Sequence, residues 1–344
     1  EGFTFGPGWW EEGRVRSESR LLAVSTGTLD AQGKAAFEAV LDAAGGFWPL
    51  SAALEAGVWS PERQRLFGRA SAIVHPADLY LGIRAGRTFL DKGRTYSAQI
   101  AAVRPDGKPV EGVEVRGQLI RRDWLSVQKA GIGGRLEWVS EQREVTVATF
   151  SFTSAKTTAA WSHPISEVGF HVLRLEARDE QGRPARGSDS FHCVGKGEAW
   201  WQREDTDIVE LVPDKKSYKP GETARILVKS PYERARALVT VERERVLEKR
   251  VLWLEGGASF IEVPIQPHHV PNVYVGVTLV QGRSGDNKYG EDGEDLAKPQ
   301  AKFGYASLAV NPGGRRLSVS LKLDKPQYRP RGKVKATLTI KDEQ

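Results

Sequence analysis

The 344-residue chain has no methionine and a single cysteine, Cys193. One thiol cannot build an internal disulfide framework, and it leaves the redox compartment undecided, because many proteins of oxidising compartments also carry few cysteines. Without a methionine, Glu1 is not expected to be a natural start. No apolar run approaches the roughly 18 residues of a membrane span, so no direct membrane insertion is expected of this segment. A dominant charge sign is missing too: 50 Lys and Arg face 44 Asp and Glu, a net +6 on a mixed surface. Nucleic acid would call for a concentrated basic stripe, and none is expected as a partner. Helical periodicity is scarce. Only residues 34–44 and 61–67 could hold a few turns, and the first reads equally as a strand ending at Gly45-Gly46. No G-x-S-x-G, H-E-x-x-H, Walker loop or paired-cysteine zinc spacing occurs, so the chain is expected to have no catalytic, cofactor-binding or metal site and not to be an enzyme.

What is present is alternation. Apolar and polar residues alternate over 96–103, 113–121, 144–152, 171–177, 224–229, 238–243 and 333–340, with Gly, Pro, Asp and Asn between the runs. A period of two is the mark of half-buried strands, and spacings of roughly 8 to 15 residues with turn chemistry point to sandwiches rather than βαβ units. The reading is all-β, in tandem seven-stranded antiparallel β-sandwich domains.

An internal repeat divides the chain. Residues 208–229 and 317–341 both read strand, D-K-x-x-Y-[KR]-P, Gly, strand. A weaker third copy over residues 79–103 has Gly86-Arg87-Thr88-Phe89-Leu90-Asp91-Lys92-Gly93 in place of the turn. The aromatic positions Phe89, Tyr218 and Tyr328 lie roughly 130 and 110 residues apart, the size of a seven-stranded sandwich with loops. Each copy is read as a corner opening a domain, where Pro sets φ and Gly supplies positive φ. The expected organisation is therefore the C-terminal part of one domain over 1–76, a complete sandwich over 77–198 and a linker over 199–206. A second sandwich follows over 207–312 with an acidic insertion at 284–300, and the first strands of a further domain occupy 313–344.

These residues carry a resemblance. The strand, Tyr-Lys-Pro-Gly, strand element, Ser230-Pro231-Tyr232, the run from Ala237 to Glu244 and Pro271-Asn272-Val273-Tyr274-Val275 are similar to bacterial alpha-2-macroglobulin-like proteins. Asp106-Gly107-Lys108-Pro109-Val110-Glu111-Gly112-Val113 resembles the D-x-x-G-x-P-V-x-G-x-x-V hairpin of their macroglobulin domains. The likeness covers 78–344 well and 1–77 loosely, through the run from Gly27 to Ala35. It implies a macroglobulin or fibronectin-like fold and a periplasmic or extracellular location, with any lipid tether at an N-terminus outside this chain. It further implies a scaffold of a broad-spectrum endopeptidase inhibitor that traps proteases after bait cleavage. Target endopeptidases would be met through regions outside the chain, and a penicillin-binding cell-wall synthesis enzyme is an implied partner. The family's thioester needs Cys-x-Glu-Gln, whereas Cys193 is followed by Val194-Gly195-Lys196; no thioester is expected here, and family order places the bait region beyond Gln344. The rival reading is a cell-surface adhesion or carbohydrate-binding array using Trp9-Trp10 or Trp200-Trp201.

Remaining candidates have plain readings. His192 and Cys193 are strand neighbours pointing to opposite faces and cannot grip one metal together. His268-His269 has no further ligand at suitable spacing. Asp286, Glu291, Asp292, Glu294 and Asp295 fail the calcium-loop pattern, because Lys288 takes a ligand position. Arg236, Arg243, Arg245, Lys249 and Arg250 alternate with apolar residues as a solvated strand face would.

Overall fold

The computed structural model describes residues 2–8, 19–40, 46–60, 62–86, 88–130, 136–195, 201, 206–256, 258–283, 285, 295, 297–313 and 317–342. Among them are strands and one 3-10 turn, Pro267–His269, and no α-helix. The two segments with helical signal differ from that signal: residues 35–40 lack regular structure, and 65–67 open a strand. The rest of each lies outside the described residues or in a turn.

The chain divides into two compact units, one of Glu1–Asp123 with Gln142–Cys193 and one of Trp124–Glu141 with Val194–Gln344. In the first, β1 (Thr4–Phe5), β2 (Leu50–Trp59), β3 (Arg65–Val74), β4 (Tyr80–Ala85), β5 (Phe89–Asp91) and β6 (Thr95–Val103) lead to a long pair, β7 (Glu114–Ala130) and β8 (Leu136–Thr153). Then come β9 (Ala159–Pro164), β10 (Gly169–Arg178) and β11 (Pro184–Val194). One sheet runs β1-β4-β6-β9 and the other β5-β11-β10-β7-β8. Alternation puts Tyr96, Ala98 and Ile100 of β6 and Leu173 and Leu175 of β10 into the core. β10 accompanies β7 only from Arg116 to Arg122, although β7 is 17 residues long and β8 is 18.

The second unit holds β12 (Leu211–Pro213), β13 (Ser217–Tyr218), β14 (Thr223–Val228), β15 (Arg234–Glu242), β16 (Val246–Glu255) and β17 (Phe260–Pro264). β18 (Asn272–Gln281) and β19 (Gln300–Val310) complete its sheets, β12-β14-β17 and β13-β19-β18-β15-β16. One continuous core joins Tyr218, Ile226, Val239, Ile261, Val275 and Leu308. The second sandwich has eight strands rather than seven because one edge strand switches sheets at the opening corner and is counted as β12 and β13; the first has nine, with β4 and β5 divided likewise and β1 added at the edge.

Two hairpins stand apart from these sheets, β2-β3 and β20 (Leu317–Leu323) with β21 (Ala336–Asp342). Register puts Val319 opposite Ile340 and Leu321 opposite Leu338, an apolar face with Ser and Lys on its back. Thr4 and Phe5, in the 1–76 segment expected to be the C-terminal part of one domain, pair with Ile83 and Gly82 of the first sandwich.

Candidate functional site

The repeated corner is built alike at residues 214–225 and 324–335. In the second sandwich the Tyr218 hydroxyl donates to Asp214 Oδ1 at 2.7 Å and accepts the Lys215 N–H at 3.1 Å, while Arg225 N–H donates to the same Asp214 oxygen at 2.9 Å. The ring is 1% exposed, and burial, then the Asp214 bond, raise the phenol's pKa. In the hairpin β20-β21 the pattern repeats atom for atom. Tyr328 donates to Asp324, Lys325 N–H to Tyr328 at 3.1 Å and Lys335 N–H to Asp324 at 3.0 Å. Asp and Tyr, four residues apart, thus tie the end of one strand to the strand that follows the turn.

The turn itself extends to the first sandwich. Gly221 N–H bonds to Ile265 O, Ile265 N–H to Glu222 O and Glu222 N–H to Lys219 O; Gly93, Ile165, Arg94 and Asp91 make the same three bonds. Gly221 and Gly93 both have positive φ, 92° and 85°. Counting back from the turn, Leu90 occupies the place of Tyr218, so the aromatic equivalence drawn for Phe89 is off by one. Gly86 then falls where Asp214 stands, and the carboxylate and the hydroxyl are missing together. In the copy over residues 317–341 Arg331 takes the glycine place with φ 63°, and Gly332 N–H to Arg329 O repeats the turn bond.

Residues with chemical potential elsewhere are engaged in packing. Cys193 is fully buried, and burial pushes its thiol up to about 12, far from a reactive thiolate. His192, on the other face of β11, packs against Phe170 and Phe89. His269 is buried and its Nδ1 accepts the Gln266 N–H at 3.1 Å, while Arg243 binds the carbonyls of His268 and Val270. Among the described residues, no group of three His, Cys, Asp or Glu could hold a metal. Arg283 forks onto Asp295 at 3.1 and 2.7 Å at the base of the acidic insertion; Asp286, Glu291, Asp292 and Glu294 lie outside the described residues. So do Trp9, Trp10 and Trp200. Trp201 is 7% exposed beneath the Lys229 ammonium, so it offers no open platform for a sugar. Along β15 the cations face out and Ala235, Ala237, Val239 and Val241 face in.

Sequence reasoning passed over a buried polar stack in the first sandwich. His171 and Tyr96 both stack on the Phe191 ring, at 5.1 and 4.2 Å, and Tyr96 donates to Asp189 at 2.8 Å. Burial raises the Asp189 pKa and depresses that of His171 to about 4. Arg122, 3% exposed, is paired with Glu144, which also binds Arg174. No sequence signal marks these contacts, since strand residues meet across register alone.

Comparison with known proteins adds the following. A family model described as the alpha-2-macroglobulin bait region domain matches residues 209–343. Another, bacterial macroglobulin domain 6, matches residues 82–193. An alpha-2-macroglobulin homolog of Nostoc sp. (strain PCC 7120) is 24% identical over 345 residues, covering 100% of this chain and 18% of that protein. An alpha-2-macroglobulin of Xylella fastidiosa (strain Temecula1) is 23% identical over 325 residues, covering 91% and 19%. The chain thus spans less than a fifth of these relatives. Among solved structures, Salmonella alpha-2-macroglobulin reacted with methylamine matches at 19% identity and a TM-score of 0.39, over 99% of this chain and 22% of that one. The first of these matches ends at residue 343, inside the chain, whereas the expected place of the bait region is past Gln344.

Proposed function

The chain is bacterial alpha-2-macroglobulin-like, and from that premise we propose that its two sandwiches are part of the frame of a protease trap. They act as rigid spacers that carry strain from a cleaved bait segment to the rest of a longer protein, and they do no bond chemistry themselves. The observation that carries this reading is the succession of matches to a macroglobulin domain and a bait region domain along the chain, each over a β-sandwich whose opening turn makes the same three backbone bonds. Closed cores and corners tied by hydrogen bonds suit a part that must move as a body. The targets in this reading are endopeptidases met in the periplasm or outside the cell, with any tether to a membrane or contact with a cell-wall synthesis enzyme made by other parts of the protein.

The test is limited proteolysis of the intact parent protein with several unrelated endopeptidases. Fragment size, compaction by small-angle scattering and residual activity on large and small substrates are followed together. Cleavage at one shared region, a change of shape and protection of large substrates only are expected. Scattered cuts with no change of shape and no protection would overturn the trap.

A further inference from the structure

The first sandwich holds the N-terminal segment of its own chain in a way that another peptide can imitate. β1 pairs with β4 at two positions, Thr4 with Ile83 and Phe5 with Gly82, while β4 pairs with β6 from Tyr80 to Ala85. Gly82 makes the docking possible. A Cβ there would sit 2.5 Å from the Phe5 ring, so the ring rests on bare backbone. Two residues along, the Arg84 guanidinium lies 4.8 Å over the Phe3 ring.

Beyond β1 the segment crosses to the other sheet. Ser188 N–H donates to Gly6 O at 3.1 Å, and Gly8 N–H donates to Ser188 Oγ at 2.6 Å. The two sheets pinch together at this point, since a Cβ on Gly187 would meet the Leu81 carbonyl oxygen at 2.6 Å. Gly6, Pro7 and Gly8 are buried in the gap, whereas Thr4 is exposed and Phe5 is 40% exposed. Phe47 and Trp48 pack here as well, Phe47 under the Arg186 guanidinium at 4.4 Å and Trp48 against Gly6, and among the described residues the chain next joins the β4 sheet at Tyr80.

We propose that the β4 edge and the gap between Gly82 and Ser188 form an exchangeable-strand site for an extended peptide bearing an aromatic residue followed by Gly-Pro-Gly. Residues 3–8 of the same chain fill it, and an equivalent segment supplied in trans competes with them. Main-chain pairing along β4 supplies the sequence-independent hold, bare Gly82 selects the aromatic ring, and Ser188 takes the glycine turn. A two-residue ladder on a long connection is favoured over a rival mainly by effective concentration, which an unlinked peptide overcomes once the cis strand is weakened. The proposal stands on the first sandwich alone and does not depend on the trap.

The probe is a fluorophore-labelled, acetylated and amidated hexapeptide Phe-Thr-Phe-Gly-Pro-Gly, with a scrambled hexapeptide as control. It is titrated by fluorescence anisotropy into the full chain as wild type, Phe5→Ala and Phe5→Ala/Gly82→Leu, with circular dichroism melts to confirm folding. Phe5→Ala is expected to bind at least tenfold more tightly than wild type, and the added Gly82→Leu to abolish binding. A folded Phe5→Ala that binds no tighter than wild type or no better than it binds the scrambled peptide overturns the proposal, as does a double variant that binds like the single one. If Phe5→Ala does not fold, hydrogen exchange on the wild-type chain decides. The Thr4, Phe5 and Gly8 amides are expected to exchange at least tenfold faster than those of Leu173 and Leu175, and equal protection overturns the site.

Discussion

Tyr218 and His171 are each buried with a polar atom to satisfy, and the structure answers the two in opposite ways. The Tyr218 hydroxyl has both a donor and an acceptor partner within its own corner. Tyr218→Phe leaves Asp214 with one bond fewer, and denaturant melts should show the second sandwich weakened by about 1 to 2 kcal/mol. His171 is fully buried and its Nε2 has no hydrogen-bond partner among the described residues. Desolvation, opposed by the Gly169 carbonyl, holds its pKa down to about 4, while the unfolded chain takes up that proton near pH 6.5. Its stabilisation is therefore whole above pH 6.5 and is lost as pH falls toward 4. Between pH 7 and 4.5 the wild type should lose roughly 2 kcal/mol more than His171→Phe in matched denaturant melts. Asp189 acts in the other sense, because its raised pKa stabilises fully at low pH and less as pH rises; comparing the two proteins cancels it.

At the scale of elements, glycine decides where strands can approach. The segment before β12 lies parallel to β19 through the bridge of Ile208 with Phe303, and a Cβ on Gly304 would meet the Val209 carbonyl oxygen at 2.1 Å. Backbone cannot yield as a flexible side chain does, so Gly304→Ala should cost about 1 to 3 kcal/mol, read as a lowered melting temperature of the second sandwich. The opening corner carries a pair of opposite expectations. Gly221→Ala puts a Cβ where φ is 92°, against a penalty of about 1 kcal/mol, whereas Arg331→Gly relieves that penalty at φ 63°. Hydrogen exchange at Glu222 and Gly332 should accelerate in the first and slow in the second. The corner was legible in the sequence because its contacts are local: Asp214, Lys215, Tyr218 and Arg225 span a single strand, turn, strand unit. The place of Leu90 was not, because a copy that has lost both Asp and Tyr is aligned only by the hydrogen bonds of its turn to Ile165.

For the whole molecule, two compact units with separate cores predict two unfolding transitions. Tyr218→Phe or Gly304→Ala should lower one calorimetric transition and leave the other in place, and a single transition shifting as a whole would show the units to be one cooperative body. The sequence by itself determined the all-β class, the inward and outward faces of strands such as β6 and β15, and the repeated corner, because strand alternation and a turn are set by neighbours along the chain. Only the tertiary structure decided that Phe5 rests on Gly82 and that His171 and Tyr96 stack on Phe191. Each of these joins residues distant in sequence, or depends on what covers a strand face, and no local pattern encodes which distant backbone will come to lie there.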